Sequence, residues 1–477
     1  MAFNSYFYFV FLLALTIVYY AMRGSVKWQN RFLVLASYFF YGFWDWRFLS
    51  LIIISTATDF IVAQKIEAAS QDRTRKLWLY VSLLTNLGIL AFFKYFNFFV
   101  DSAESLLNYV GFVPDFPTLN IILPVGISFY TFQTLSYTID VYRSQAKPID
   151  NLLDFSLYVS FFPQLVAGPI ERPNDLIPQI SNPRRFQISN IVEGSHHILL
   201  GLFKKVVIAD NMAAIVGGAF APGAETLSGL ENWMALLAFA LQIYGDFSGY
   251  SSIAQGSAKL IGFDLSYNFH MPYFACSPSD FWQRWHVTLS RWLRDYLYIP
   301  LGGNRGGAWF VNRNLMITMV LGGLWHGAGW HFVLWGFYHG SLLAVYKLLP
   351  FAERYDRENA TTASKLRHLL AVLIMFVFTL LGWLLFRVDN VPQIVAITKS
   401  LVFSFEFTGL CFYGFSTILF LAGPLFLYEW YLHINDDDHM LIFRKHWFVR
   451  AVLYSYFIVM MILFSVESSH EFIYFQF

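Results

Sequence analysis

The feature that most constrains this chain is a succession of long stretches without an Asp, Glu, Lys or Arg. They run from Phe3 to Met22, Leu77 to Phe93, Ile121 to Ile139, Phe155 to Ile170, Trp233 to Gly245, Asn314 to Tyr346, His368 to Phe386, Phe407 to Tyr428 and Ala451 to Val466. A helix needs ~20 mainly apolar residues to cross a bilayer, and most of these stretches approach that length. Composition agrees, with 57% hydrophobic and 13% charged residues over 477 positions, where soluble domains carry roughly a quarter charged. The expectation is an all-α polytopic membrane protein, a single integral-membrane domain over residues 1–477 with about 10–12 spans. The stretches vary from 13 to 33 residues, so some spans must be short, tilted or re-entrant.

Charge distribution suggests an orientation. Basic residues cluster at Arg23/Lys27/Arg31, Lys65/Arg73/Arg75/Lys76, Lys347/Arg354/Arg357/Lys365/Arg367 and Arg444/Lys445/Arg450. The positive-inside rule makes these loops cytoplasmic and puts the N-terminus outside. Phe32 to Ala63, interrupted by Asp45-Trp46-Arg47, reads as a two-helix hairpin or as one helix with an interfacial stretch, and cytoplasmic flanks select the hairpin. Phe3 to Met22 has neither a basic leader nor a small-residue cleavage site before Arg23, so it reads as a retained helix. Asp436-Asp437-Asp438 reads as a solvated loop. A net charge of +1 gives no basis for a nucleic-acid partner. Cys276 and Cys411 lie far apart without CxxC spacing, which encodes neither a disulfide framework nor a zinc site.

Four of the twelve histidines, His286, His326, His331 and His339, fall close together, the last three in one charge-free stretch. An ionisable side chain in such a stretch marks a functional site unless it is partnered inside the helix bundle. His326 lies in Gly323-Leu324-Trp325-His326-Gly327, where small neighbours let a backbone or a ligand approach the imidazole. Its alternative role is a hydrogen bond between helices. On a continuous helix His331 and His339 point away from His326, which favours packing roles. The five-residue offset of His331 also departs from the i, i+4 spacing of helical zinc ligands, so no metal is expected. From Phe281 to Tyr296, Trp and Arg recur at intervals that suit an amphipathic helix on a membrane surface. The glycine-rich, basic Pro300 to Gly307 loop follows; it could cradle phosphate but fits no nucleotide fingerprint.

Together the segments Pro124 to Gln133, Phe161 to Ile170, Tyr244-Gly245-Asp246-Phe247-Ser248-Gly249-Tyr250, Phe281 to Gly303 and Gly323 to Gly327 resemble the membrane-bound O-acyltransferase family, specifically its bacterial, alginate O-acetylation branch. The resemblance implies a motif-bearing catalytic core at residues 120–340. It implies that His326 is the active-site histidine, with His286 as its companion, in a tunnel where a cytoplasmic thioester meets a hydroxyl from the far side. General-base use of His326 follows from what an imidazole does near neutral pH. Gln133, Tyr244, Asp246 and Ser248 are candidates for the tunnel wall or, equally, for hydrogen bonds between helices. Arg284, Arg291, Arg294 and Arg305 are candidates for the donor phosphates or for lipid headgroups. The implied donor is acetyl-CoA as a co-substrate, with no bound cofactor. The implied partners are an extracytoplasmic acetyltransferase or esterase-like protein, the machinery of an exported polysaccharide such as alginate, and membrane lipids, at the bacterial inner membrane. D-alanyl transfer from a carrier protein to teichoic acid is the alternative within the family. A transporter or flippase with a histidine proton relay is the alternative outside it.

Overall fold

The computed structural model describes residues 1–114, 119–184, 187–220, 227–348, 362–435, 441–466 and 472–473. Asp436 to Asp438, Arg354 and Arg357 lie outside the described residues. All regular structure among those residues is helical, and the chain packs as two compact units, Met1–Ile198 with Ser251–Ser266, and Leu199–Tyr250 with Tyr267–Phe477. The 120–340 segment contributes to both.

The first unit holds α1 (Tyr6–Ala21), α2 (Val26–Asp45), α3 (Leu49–Ala68), α4 (Asp72–Leu90), α5 (Phe96–Tyr109), α6 (Ile127–Tyr142), α7 (Leu152–Ser160), α8 (Phe162–Leu165) and α9 (Pro173–Ser181). Asp45-Trp46-Arg47 marks the break between α2 and α3: Asp45 leaves helical geometry, and its carboxylate caps a one-turn 3-10 segment through Arg47 N. Asp59 of α3 is buried because its carboxylate is fully engaged. Ser82 Oγ donates to it at 2.5 Å and Asn86 Nδ2 at 2.9 Å, both from α4. The Pro124 to Gln133 and Phe161 to Ile170 segments meet where Gly126, at φ 76°, lies so close to the Leu165 carbonyl that a Cβ would stand 2.5 Å from it. Only glycine satisfies both demands.

α10 (Ile188–Leu202) begins in the first unit and ends in the second, to which a π-helical segment, Phe203–Ala209, also belongs. Then come α11 (Asp210–Ala219), α12 (Gly229–Leu260), α13 (Pro278–Arg284), α14 (Val287–Leu293), α15 (Ala308–His326), α16 (Trp330–Tyr346), α17 (Thr362–Arg387), α18 (Val391–Phe403), α19 (Gly409–Ile434), α20 (Leu441–Arg444) and α21 (Trp447–Leu463). In the second unit α15 and α16 form a close hairpin: a Cβ on Gly323 would stand 2.2 Å from Phe332 O, and one on Gly336 2.3 Å from Met319 O. Gly245 and Gly249 likewise admit the carbonyls of Lys204 and Gly201 against α12.

Among the described residues four stretches are long and apolar enough to cross a membrane, Val26–Ala68, Asp72–Tyr109, Thr362–Arg387 and Gly409–Ile434. Tyr6–Ala21, Val391–Phe403 and Trp447–Leu463 are shorter apolar helices. The Asn314 to Tyr346 stretch is not one helix. Gly327 and Gly329 adopt extended backbone and turn the chain back on itself. The angular offsets of a continuous helix therefore do not relate His326 to His331 or His339.

Candidate active site

Residues 281–296 do not form a single amphipathic helix. They fall in two seven-residue helices, α13 and α14, and the π-helical turn Arg294–Tyr298 that follows, with a break at His286, whose backbone is left-handed at φ 42° and ψ 55°. A β-carbon in that region costs energy, so a non-glycine residue persists there only when its surroundings impose it. Here the surroundings are a short antiparallel pairing: Val287 N donates to Asn268 O and His270 N donates to Arg284 O, both at 2.9 Å. Thr288 Oγ1 adds a 2.6 Å bond to Asn268 Oδ1. The break turns Trp285 and Trp292 into the protein, at 0% and 8% exposure, so they are core residues and not interfacial anchors.

This backbone delivers His286 to a fully buried position. Phe247 of α12 meets its ring edge-on at 4.7 Å, Trp325 lies at 5.8 Å, and the ring of His326 at 6.4 Å. His326 is the last residue of α15. It is 3% exposed and walled by Trp335 at 5.0 Å and Phe386 at 5.6 Å. The helix ends there because Gly327 turns to extended backbone, and a Cβ on Gly327 would fall 1.9 Å from the Phe332 ring, so the residue after His326 has to be glycine. Burial pushes His286 down to about 3, which leaves a neutral imidazole at physiological pH. His339 packs on the far side of Trp335, 4.8 Å from it and stacked on Phe281.

The remaining candidates separate by environment. Gln133 belongs to the first unit, where its Nε2 donates to Tyr158 O at 2.6 Å. Tyr244 donates to Glu429 Oε1 at 2.5 Å and accepts from Lys204 Nζ at 3.3 Å, and Lys204 pairs with Glu429 at 3.0 Å. Asp246 pairs with Lys205 at 2.7 Å, Lys205 also reaches Asp210 at 2.9 Å, and Ile473 N donates to Asp246 Oδ2. Ser248 is buried on the same helix. Arg284 is tied to Asp280 Oδ1 at 2.6 Å. Arg291 and Arg294 line a cavity of about 530 Å³ with Trp282, Val287, Thr318 and Met319. Arg305 is exposed outside that lining.

Leu315 and Met319, which line the cavity, share one face of α15 with Gly322 and His326. Leu315 and His326 are eleven residues apart, or ~16 Å of helix.

The network of Lys204, Lys205, Asp210 and Glu429 was not anticipated. Its signal is present, because Lys204-Lys205 sits among apolar residues and Glu429 directly follows a charge-free stretch, and charges so placed are costly unless paired. Among the described residues no group of three or more His, Cys, Asp or Glu could hold a metal ion.

The chain is a polytopic helical protein with two histidines buried in one aromatic chamber. The chain belongs to the membrane-bound O-acyltransferase family, whose pattern it matches over residues 105–386, a span that contains every candidate residue above. It is an acyltransferase, and the transporter reading is set aside. It is 41% identical to a probable alginate O-acetylase of Azotobacter vinelandii, covering 81% of this chain and 75% of that protein. It is 38% identical to a peptidoglycan O-acetyltransferase of Helicobacter pylori, over 83% of this chain and 78% of that protein. A teichoic acid D-alanyltransferase of Bacillus subtilis is 28% identical over 57% of this chain and 71% of that protein.

Proposed function

We propose that the chain O-acetylates an exported polysaccharide such as alginate at the bacterial inner membrane, taking acetyl from acetyl-CoA on the cytoplasmic side. The observation that carries this reading is the convergence of His286 and His326, from separate elements, on one buried aromatic chamber. His326 accepts the proton of an acceptor hydroxyl as its oxygen attacks the thioester carbonyl. The C–O bond forms, the C–S bond breaks, and the proton returns to the departing thiolate. General-base help of this kind contributes ~10²–10⁴ in rate. His286, neutral through burial, orients the reacting group. Arg291 and Arg294, the latter also paired with Asp295, receive donor phosphates because both line the cavity; Arg284, held by Asp280 and outside that lining, positions the α13 break. The acceptor is the polymer itself or a hydroxyl on an extracytoplasmic acetyltransferase partner. D-alanyl transfer is the weaker reading, because the D-alanyltransferase relative is the more distant one.

The test is the ester-linked acetyl content of exported polymer from cells expressing wild type or His326→Ala at matched membrane levels. Loss of acetyl with normal polymer export is expected. Unchanged acetyl refutes the assignment.

A further inference from the structure

A second cavity, of about 770 Å³, lies in the same unit away from the arginine-lined one and shares no lining residue with it. Its length is set by α17, which contributes lining residues from Lys365 to Phe376, ~16 Å of helix. α19 supplies the opposite wall with Phe426, Trp430 and His433. The floor is the turn Tyr273-Phe274. The walls are overwhelmingly aliphatic and aromatic, and Leu369 and Leu373 remain 54% and 53% exposed along the open side. The basic lining residues are Lys365 and His368, near the start of α17, and His433, near the end of α19, whose ring stacks on Phe274 at 5.1 Å. Lys365 belongs to the basic cluster that charge assigns to the cytoplasm.

An apolar trough open along two apolar helices, with a basic patch at its cytoplasmic mouth, has the complementarity of an amphiphile with a negative head. We propose that this groove binds one anionic glycerophospholipid, its phosphate at Lys365, His368 and His433 and an acyl chain along Val372 and Phe376. The site would support the active centre. The floor turn follows His270, whose N–H is bonded to Arg284 O, one strand of the pairing that holds His286 left-handed. Tyr273 also stacks on Trp285 at 6.2 Å. A chain lying on Tyr273 and Phe274 presses on the backbone that places His286.

The full-length protein is purified in zwitterionic detergent, and retained phospholipid is quantified by mass spectrometry. Wild type and Arg73→Glu, a charge reversal on the other unit, are expected to retain anionic phospholipid in near-stoichiometric amount. Lys365→Glu combined with His433→Glu should retain at least about tenfold less. Val372→Trp, which fills the trough and leaves the charges intact, should show the same loss, so a folding defect of the charge variant does not decide the matter. Equal retention in all four proteins means an annular lipid only and overturns the proposal. Displacement of the lipid by inorganic phosphate also overturns it, because the chain would then contribute nothing.

Discussion

Replacing His286 separates what its side chain does from what its backbone does. His286→Ala and His286→Gly both remove the imidazole and leave the same hole, so the cavity cost cancels between them. They differ in a β-carbon at φ 42°. Alanine there bears the left-handed penalty of about 1–2 kcal/mol. Glycine escapes it but loses about 0.5–1 kcal/mol through the freedom of its unfolded chain. The glycine variant should therefore be the more stable by about 0.5–1 kcal/mol, the reverse of the usual order in helices. Thermal or denaturant unfolding in detergent, followed by tryptophan fluorescence, reads this difference. If alanine equals or exceeds glycine, the backbone at this position is not held left-handed and the account of the helix break fails. Acetyl transfer supplies the second readout. Both variants should lose about 10²-fold or more if the imidazole takes part, whereas a glycine variant with near-normal transfer would make His286 a backbone device only.

Four further outcomes follow. Glu429→Ala should destabilise by about 3–5 kcal/mol because it strands Lys204 in the interior, while Lys204→Met with Glu429→Leu should recover most of that loss; a double variant no better than the single refutes the pairing. Gly323→Ala should cost at least ~1–3 kcal/mol by forcing α15 off the Phe332 carbonyl, measured as a fall in Tm. Arg291→Glu with Arg294→Glu should raise KM for the thioester donor by about tenfold with little change in kcat, whereas Arg305→Glu should not. Burial raises the Glu171 carboxyl, opposed by hydrogen bonds from Ser266, to about 7. A carboxyl raised in the folded state favours folding below its unfolded value and loses that advantage as pH rises to about 7. Stability should thus fall by up to about 3 kcal/mol between pH 4.5 and 7, and Glu171→Gln should flatten that slope in pH-dependent unfolding.

The class of fold is legible in the sequence, because it rests on local facts, whereas the pairing of His326 with His286 is an expectation that comes from the resemblance. A charge-free stretch is apolar whatever it packs against, and hydrocarbon leaves a helix as its one way to satisfy every backbone group alone. Gly-Leu-Trp-His-Gly likewise carries its own constraint, since the glycine after His326 is demanded by the ring of Phe332, five residues farther on. Tertiary structure decided the rest. The periodicity of Phe281 to Tyr296 is helical, yet pairing with Asn268 and His270, remote in the chain, bends it left-handed at His286 and buries Trp285 and Trp292. Lys204 and Glu429 are separated by 225 positions, and neither residue alone announces a partner that only the packing of their helices supplies. The arginines divide for the same reason: Arg284 pairs with Asp280 and Arg294 with Asp295, both close in sequence, but only Arg291 and Arg294 line the cavity, because the chain runs on past the break in a new direction. Composition and local pattern determine where a chain is soluble and where it must curl; contacts between distant segments determine which side chains share a chamber.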